Sequence, residues 1–151
     1  MKTEYCKKLI LTNDIKKELK KLKPKKNFSG KVISEYYDFK DNSLEKKGIL
    51  IRLRKKGKIA ELTLKQKEKS IKNGILRTKL KKEIKSVTTN FKGIKEILRT
   101  MNLKIVRKES FYREEYFKDE VIFEIKNKKE LELESYNLKK LNKVLENLKW
   151  L

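Results

Sequence analysis

The sequence predicts an α+β fold in which a mostly antiparallel sheet of about eight strands has three helices packed outside it. Two patterns favour this class. In several runs, apolar and charged residues alternate with period two between short turns, as they do in antiparallel strands. Three further segments carry apolar residues at helical spacing. The chain has 151 residues, enough for one modest core, and we expect a single domain over residues 1–151.

The elements are expected in a definite order along the chain. The first half should contain a strand over 3–11, a helix over 12–22, a basic loop over 23–26 and a strand over 32–39. Thr12 is the expected N-cap, and Pro24 ends the helix because proline cannot continue it. A β-hairpin over 48–67 follows. The second half should contain a strand over 75–84, a helix beginning at Thr89 or Asn90, a hairpin formed by 104–117 and 120–126, a strand over 130–134 and a final helix from Asn137.

The hairpin over 48–67 has two alternating strands around a short turn that contains Gly57. The apolar faces of its strands coincide if Arg54 lies opposite Ile59. Four basic residues then share one surface: Arg52, Arg54, Lys65 and Lys67. Two interpretations stay open here. The charged face is either exposed to solvent, with Arg52 paired to Glu61 across the strands, or it faces a bound ligand.

The formal net charge of +22 indicates polyanionic partners such as nucleic acid, polyphosphate or nucleotides. Most of this excess is lysine, and a lysine-rich chain also results from AT-rich coding. The chain has only six arginines, which makes them the better indicators of a binding site.

The composition also excludes several kinds of site. With no histidine and a single cysteine, Cys6, the chain has no zinc site and no Ser-His or Cys-His nucleophile. One cysteine forms no internal disulfide and fits a reducing compartment, so we expect a cytoplasmic protein. No apolar run approaches the roughly 18 residues of a membrane span, and no signal peptide is evident.

Several predicted strands carry charges of both signs on one face. In a sandwich these faces would lie in solvent, whereas in a closed barrel they would line an interior. A charged interior is costly unless it holds water and a charged ligand. Guanidinium groups suit phosphate oxygens, and alternating carboxylates such as Glu132 and Glu134 suit a hard divalent cation. Such a chamber would suit a metal-bound polyphosphate.

Four sequence motifs carry a resemblance to a known family. They are Glu4-Tyr-Cys-Lys-Lys8, the segment Tyr36-Tyr-Asp-Phe39 followed by Leu50-Ile-Arg-Leu-Arg54, the strand Leu62-Thr-Leu-Lys65, and Glu132-Leu-Glu134. In this order and spacing they resemble the CYTH family of triphosphate tunnel metalloenzymes, which includes thiamine triphosphatases, tripolyphosphatases and class IV adenylate cyclases. The resemblance covers nearly the whole chain. It implies an antiparallel closed β-barrel of the triphosphate tunnel type and a metal-dependent hydrolase.

The resemblance also implies roles for individual residues. The basic residues expected to bind the triphosphate are Lys8, Arg52, Arg54, Lys65, Lys67, Arg107 and Arg113. The first four of these are also assigned to catalysis. The strand register expected from the sequence does not show which of Arg107 and Arg113 faces the tunnel. The carboxylates expected to hold Mg²⁺ or Mn²⁺ are Glu4, Glu124, Glu132 and Glu134, with Glu4 also assigned to catalysis. The implied substrates are inorganic tripolyphosphate, thiamine triphosphate or a nucleoside triphosphate.

The chain departs from the family pattern at a few positions. Cys6 stands where relatives have the second glutamate of the opening motif. Either Arg77 or Lys79 makes one wall of the expected chamber more basic, and Lys126 adds further positive charge. Phosphate-binding positions are therefore kept better than metal-binding ones. This leaves two alternatives open: a polyanion-binding module with weak or no hydrolysis, and an RNA 5′-triphosphatase. We expect no membrane partner and a monomer or homodimer, with RNA as a further partner.

Overall fold

The computed structural model describes residues 2–148. Its elements, in chain order, are β1 (Lys2–Ile10), α1 (Asn13–Leu22), β2 (Lys25–Asp38), α2 (Ser43–Lys46), β3 (Ile49–Lys56), β4 (Ile59–Lys72), β5 (Ile75–Thr88), α3 (Phe91–Thr100), β6 (Lys104–Lys118), β7 (Val121–Lys126), β8 (Glu130–Ser135) and α4 (Leu138–Leu148). None of the helices in this range is long and apolar enough to cross a membrane.

The strands are hydrogen-bonded in the order β1-β5-β4-β3-β2-β6-β7-β8, and β8 pairs with β1, so the sheet order is that of a closed barrel. The prediction of a closed antiparallel sheet of about eight strands is therefore confirmed. The helix count differs, since the one-turn helix α2 adds to the three predicted helices. Four residues are too few to show helical periodicity, so α2 left no signal in the sequence.

In two lysine-rich segments the strands are longer than the sequence predicted. The expected basic loop over 23–26 overlaps β2, which begins at Lys25, and β5 continues to Thr88 rather than ending near residue 84. Lysines on both faces of a strand weaken the contrast between apolar and polar positions. Alternation therefore could not define these strand ends.

The register of the first hairpin differs by two residues from the prediction. Arg54 lies opposite Glu61, and Lys56 lies opposite Ile59, rather than Arg54 opposite Ile59. Gly57 has a φ of 59°, which allows a two-residue turn between the strands. Because a shift of two residues keeps every side chain on its face, the predicted segregation of charged and apolar residues survives.

The chain divides into two compact units. The first contains Lys31–Glu68 and Leu80–Phe111, and the second contains Lys2–Gly30, Lys69–Lys79 and the described residues from Tyr112 onward. Four strands, β2, β4, β5 and β6, contribute residues to both units.

The first unit packs α3 against one face of its strands. Its buried cluster consists of Tyr37, Leu53, Ala60, Leu98 and Leu103. Glu35 is also buried on this face, and its carboxylate lies 3.3 Å from the Lys95 ammonium and accepts a hydrogen bond from the Tyr37 hydroxyl. Burial and the nearby Glu35 carboxylate together raise the pKa of Tyr37 to about 12. A buried carboxylate is tolerated here because a cation and a donor reach it.

The second unit packs α1 and α4 against one face of β7 and β8. Its buried cluster includes Ile15, Leu19, Phe123, Ile125, Leu131, Leu133, Leu141, Val144 and Leu148. Thr12 caps α1 as predicted, since its Oγ1 accepts a hydrogen bond of 3.2 Å from the Ile15 amide. The Lys118 ammonium donates to the Leu22 carbonyl and fixes the end of α1 to β6.

Asp38 organises the loop that contains α2. Its side chain is 4% exposed, and its two carboxylate oxygens accept hydrogen bonds from the backbone amides of Phe39, Leu44 and Glu45 at 2.7 to 3.1 Å. Three amides that would otherwise lack partners are therefore satisfied by one buried carboxylate.

The Asp38→Ala variant should lose about 2 kcal/mol of unfolding free energy, because it leaves these buried amides without an acceptor. Asp41→Ala is the matched control, since the Asp41 carboxylate is exposed and accepts hydrogen bonds from the amide and the side chain of Ser43. Urea denaturation of both variants measures the difference. Equal losses in the two variants would show that Asp38 does not organise the loop.

Candidate functional site

The first unit presents a basic surface on the side of its strands away from α3. We call it the arginine face, and it consists of Ser34, Tyr36, Arg52, Arg54, Thr63 and Lys65. Cross-strand pairing aligns these residues, because Arg52 lies opposite Tyr36 on one side and Thr63 on the other. Arg54 lies opposite Ser34 and Glu61 in the same way. The structure thus brings together the hairpin residues that the sequence assigned to phosphate binding.

Arg54 is held firmly in this surface. It is 8% exposed, its Nε donates a 2.8 Å hydrogen bond to Ser34 Oγ, and its guanidinium carbon lies 5.9 Å from the centre of the Phe111 ring. A guanidinium fixed by a neighbour and an aromatic ring loses little conformational entropy when it binds an anion.

Arg52 and Thr63 face each other across β3 and β4, and each has a polar atom that its neighbours leave unsatisfied. Arg52 Nε and Thr63 Oγ1 are both inaccessible and have no hydrogen-bond partner within residues 2–148. Buried polar atoms are normally paired. A guanidinium and a hydroxyl that meet in this way suit the oxygens of a phosphate group.

Three further predicted basic residues lie in this unit. Lys65 is opposite Leu50 on β4, and Lys67 is two residues beyond it, both half-buried and both with interaction partners. Arg107 lies on β6 with its guanidinium carbon 3.9 Å from the centre of the Tyr36 ring. Its Nε is 3.8 Å from Glu109, which also accepts a 3.4 Å hydrogen bond from the Tyr36 hydroxyl.

The second unit presents an acidic surface on the side of its strands away from α1 and α4. We call it the acidic face, and it consists of Cys6, Lys8, Glu115, Glu124, Glu132 and Glu134. Glu124 lies opposite Glu115 on one side and Glu132 on the other, and Glu132 lies opposite Lys8. Cys6 lies opposite Glu134 in the next row. Glu4, two residues before Cys6 on β1, is half-buried and has interaction partners.

Arg113 forms ion pairs with two of these carboxylates. It is 7% exposed, and its Nη2 lies 2.9 Å from Glu115 and 3.3 Å from Glu124. Like charges opposite each other across two strands repel, and a buried guanidinium between them relieves this repulsion. The two arginines that the sequence could not separate thus have different surroundings. Arg113 is engaged with carboxylates, whereas the side chain of Arg107 is 59% exposed.

Glu132 has two neighbours on β1. The Lys8 ammonium lies 3.9 Å from one carboxylate oxygen, and the Cys6 thiol donates a 3.1 Å hydrogen bond to the other. Cys6 is 6% exposed. Its burial, together with the negative charge of Glu132 and Glu134, raises the pKa of the thiol far above its usual range. Cys6 is therefore a neutral donor where the family pattern has a carboxylate.

The carboxylates of the acidic face are hard oxygen donors, and this chemistry fits Mg²⁺ or Mn²⁺. They are not gathered around one point, however. Across residues 2–148, no three Cys, Asp or Glu side chains lie close enough together to hold a metal ion. Glu132 and Glu134 remain the carboxylates that Arg113 does not engage.

Arg77 does not join the acidic face, contrary to the expectation that it makes the chamber more basic. Its guanidinium carbon lies 5.5 Å from the centre of the Tyr5 ring, and Tyr5 points away from Cys6 because alternate residues of a strand face opposite ways. The Tyr5 ring attracts the Arg77 guanidinium through a cation–π interaction. The charge pattern of β5 alone did not indicate this contact.

Sequence reasoning missed three polar residues on these faces: Ser34, Thr63 and Glu115. Thr63 and Glu115 each lie two positions from a residue that was assigned a role, and Ser34 lies two positions from Tyr36 of a quoted motif, so period-two alternation gave a usable signal. The small hydroxyl groups of Ser34 and Thr63 carry no charge, so the pattern of charged residues did not indicate them. Glu115 was overlooked because its partner Arg113 was assigned to phosphate instead.

The strand order and the charged faces define a class of protein, namely closed antiparallel β-proteins that present charged side chains on the face opposite their helices. Within this class, the chain belongs to the CYTH domain family, whose sequence model matches residues 2–151. Members of this family are generally metal-dependent. No curated protein matches the chain by sequence.

Solved structures agree with this assignment at the level of fold. A candidate adenylate cyclase from Vibrio parahaemolyticus is 12% identical with a TM-score of 0.75, covering 98% of this chain and 87% of its own. A conserved hypothetical protein from Pyrococcus furiosus is 18% identical with a TM-score of 0.74, covering 99% and 91%. A candidate adenylyl cyclase from Hippeastrum, described as having a dominant triphosphatase activity, is 13% identical with a TM-score of 0.67, covering 98% and 86%.

The raised thiol pKa of Cys6 should make the stability of the protein depend on pH. In the unfolded chain the thiol ionises near its ordinary pKa of about 8.5, whereas in the native state it stays protonated. The native state then binds more protons, so the free energy of unfolding falls as the pH rises above about 8.5, by about 2 kcal/mol at pH 10. Cys6→Ser should lack this loss.

Urea denaturation of the wild type and Cys6→Ser at pH 7 and pH 10 measures this effect, and the comparison cancels the titration of the many lysines and tyrosines. The same loss of stability in both proteins would mean that Cys6 ionises as readily in the native state as in the unfolded chain.

Proposed function

We propose that this protein is a metal-dependent hydrolase of triphosphate-containing substrates, namely inorganic tripolyphosphate, thiamine triphosphate or a nucleoside triphosphate. The observation that carries the proposal is the arginine face, where Arg52 Nε and Thr63 Oγ1 have no hydrogen-bond partner among residues 2–148 and lie on the same face as the immobilised guanidinium of Arg54. Membership of the CYTH family and the triphosphatase activity described for the Hippeastrum protein support the reaction class.

The basic residues bind the phosphate chain in this proposal. Arg52 and Arg54 point the same way from β3, and each guanidinium can donate two parallel hydrogen bonds to one phosphate group. Lys65 adds a point charge on the neighbouring strand. Positioning by several fixed cations is the main contribution that a protein makes to phosphoryl transfer, since the charge of the transition state is spread over the phosphate oxygens.

Carboxylates of the acidic face hold the divalent cation. Glu132 and Glu134 are the first candidates because Arg113 engages Glu124, and Glu4 lies on the adjacent strand. A bound Mg²⁺ or Mn²⁺ supplies Lewis acidity toward a phosphate oxygen. The Lys8 ammonium approaches one carboxylate oxygen of Glu132, while the Cys6 thiol occupies the other.

A second candidate function is binding of a triphosphate or another polyanion, such as an RNA 5′ end, with little or no hydrolysis. Two observations favour it. A neutral thiol stands at Cys6, and Arg113 competes with a cation for Glu124. The chain would then keep the phosphate-binding surface and lack part of the metal-binding one.

Phosphate release from tripolyphosphate in a titration of Mg²⁺ and Mn²⁺ tests the proposal. Glu134→Gln should lower the rate at least about 100-fold, because it removes a charged ligand for the cation. The matched control is Glu130→Gln, an exposed carboxylate on the same strand, which should keep the wild-type rate. Metal-independent turnover, or equal rates in the two variants, would contradict a metal site at Glu134.

Cys6→Glu separates the two functions in the same assay. A carboxylate at this position should lower the Mg²⁺ concentration that gives half-maximal activity, and it should create turnover if the wild type only binds. Binding of Mn²⁺ measured by the relaxation of water protons gives a readout that does not depend on activity. A folded Cys6→Glu protein with unchanged metal affinity and unchanged turnover would show that position 6 does not face the metal.

A further inference from the structure

The second unit contains an apolar cavity beneath α1 that the proposed activity does not use. Its volume is about 470 Å³. The apolar residues that line it are Leu11, Leu19, Pro24, Tyr116, Phe123 and Ile125. A volume of this size is within the range of small-molecule sites, and a mostly apolar lining is typical of them.

The cavity lies on the opposite side of the strands from the acidic face. Phe123 and Ile125 line it, whereas Glu124 between them pairs across strands with Glu115 and Glu132. Alternation along β7 therefore assigns the cavity and the carboxylates to different surfaces. The Lys118 contact with the Leu22 carbonyl fixes α1 over β6, so the wall that α1 provides is firmly attached.

Lysines surround the apolar lining. Four of them border the cavity, namely Lys16, Lys20, Lys23 and Lys128, all of which are exposed. Glu114 is the one acidic residue among the lining residues, so the lining carries a net charge of +3. Lys16 and Lys20 are one turn apart on α1 and point to the same side of the helix. Their ammonium groups are thus free to meet a single anionic group at the cavity entrance.

We propose that this cavity binds a small amphiphilic anion, a medium-chain carboxylate, with its hydrocarbon chain against the half-buried Leu11 and Tyr116 and its carboxylate at Lys16 and Lys20. A phosphate chain is a poor occupant, because the apolar wall offers no donors for its oxygens. A neutral hydrocarbon leaves the lysines unused. The carboxylate class is the one that matches both parts of the lining.

Calorimetric titration with octanoate, decanoate and dodecanoate, below their micelle-forming concentrations and at about 0.15 M salt, tests the proposal. Affinity should rise roughly fourfold for each added methylene. Decyltrimethylammonium, which has a similar chain and the opposite charge, should not bind. An excess of tripolyphosphate should leave decanoate affinity unchanged. Absence of decanoate binding, or its displacement by tripolyphosphate, would overturn the proposal.

A pair of matched variants separates a site from general attraction to a cationic protein. Lys16→Gln/Lys20→Gln should weaken decanoate binding about fivefold, since each exposed ion pair contributes modestly. Lys17→Gln/Lys143→Gln removes the same charge from exposed helical positions that do not border the cavity, and it should bind like the wild type. Equal affinities in the two variants would mean that the anion is held by net charge alone, which also overturns the proposal.

Discussion

The alternation of side chains along the strands is the constraint on which the rest of this protein depends. Along β7, Val121, Phe123 and Ile125 are buried against the helices, and Glu124 between them meets carboxylates of the neighbouring strands. A slip of one residue would expose the aromatic ring and bury the carboxylate against the helices. The packing of the core therefore determines which charged groups share a surface, before any ligand is considered.

Ion pairs between residues of adjacent strands stabilise the charged surfaces. Arg113 lies between Glu115 and Glu124, and Lys8 approaches Glu132 from β1. Removing Arg113 from its largely buried group would leave uncompensated carboxylates, which is far more costly than the group is stabilising. Inaccessible polar atoms without a hydrogen-bond partner among the described residues occur in both units, at Arg52 Nε and Thr63 Oγ1 and also at Arg113 Nε.

Much of the fold could be predicted from the sequence, because alternation and helical periodicity are local properties. The hairpin register was wrong by two residues, yet Arg52 and Arg54 still point the predicted way, since parity alone decides the face. Side-chain partners were harder to predict. Arg77 contacts the ring of Tyr5, and Arg113 forms ion pairs with Glu115 and Glu124. These contacts depend on residues of neighbouring strands. The neutral state of Cys6 likewise follows from burial, which the sequence pattern does not report.

Neighbouring residues of β3 offer the most direct test of the central claim that one face of the strands binds triphosphate. Arg52 belongs to the arginine face, whereas Lys55 is exposed on the opposite face, with its ammonium 5.5 Å from the centre of the Phe91 ring. Calorimetric titration with tripolyphosphate should be performed on Arg52→Gln and Lys55→Gln, which remove the same charge. Arg52→Gln should lose about 1.5–3 kcal/mol of binding free energy, which is the scale of a charge-assisted hydrogen bond. Lys55→Gln should lose almost none. Equal losses in the two variants would contradict the central claim.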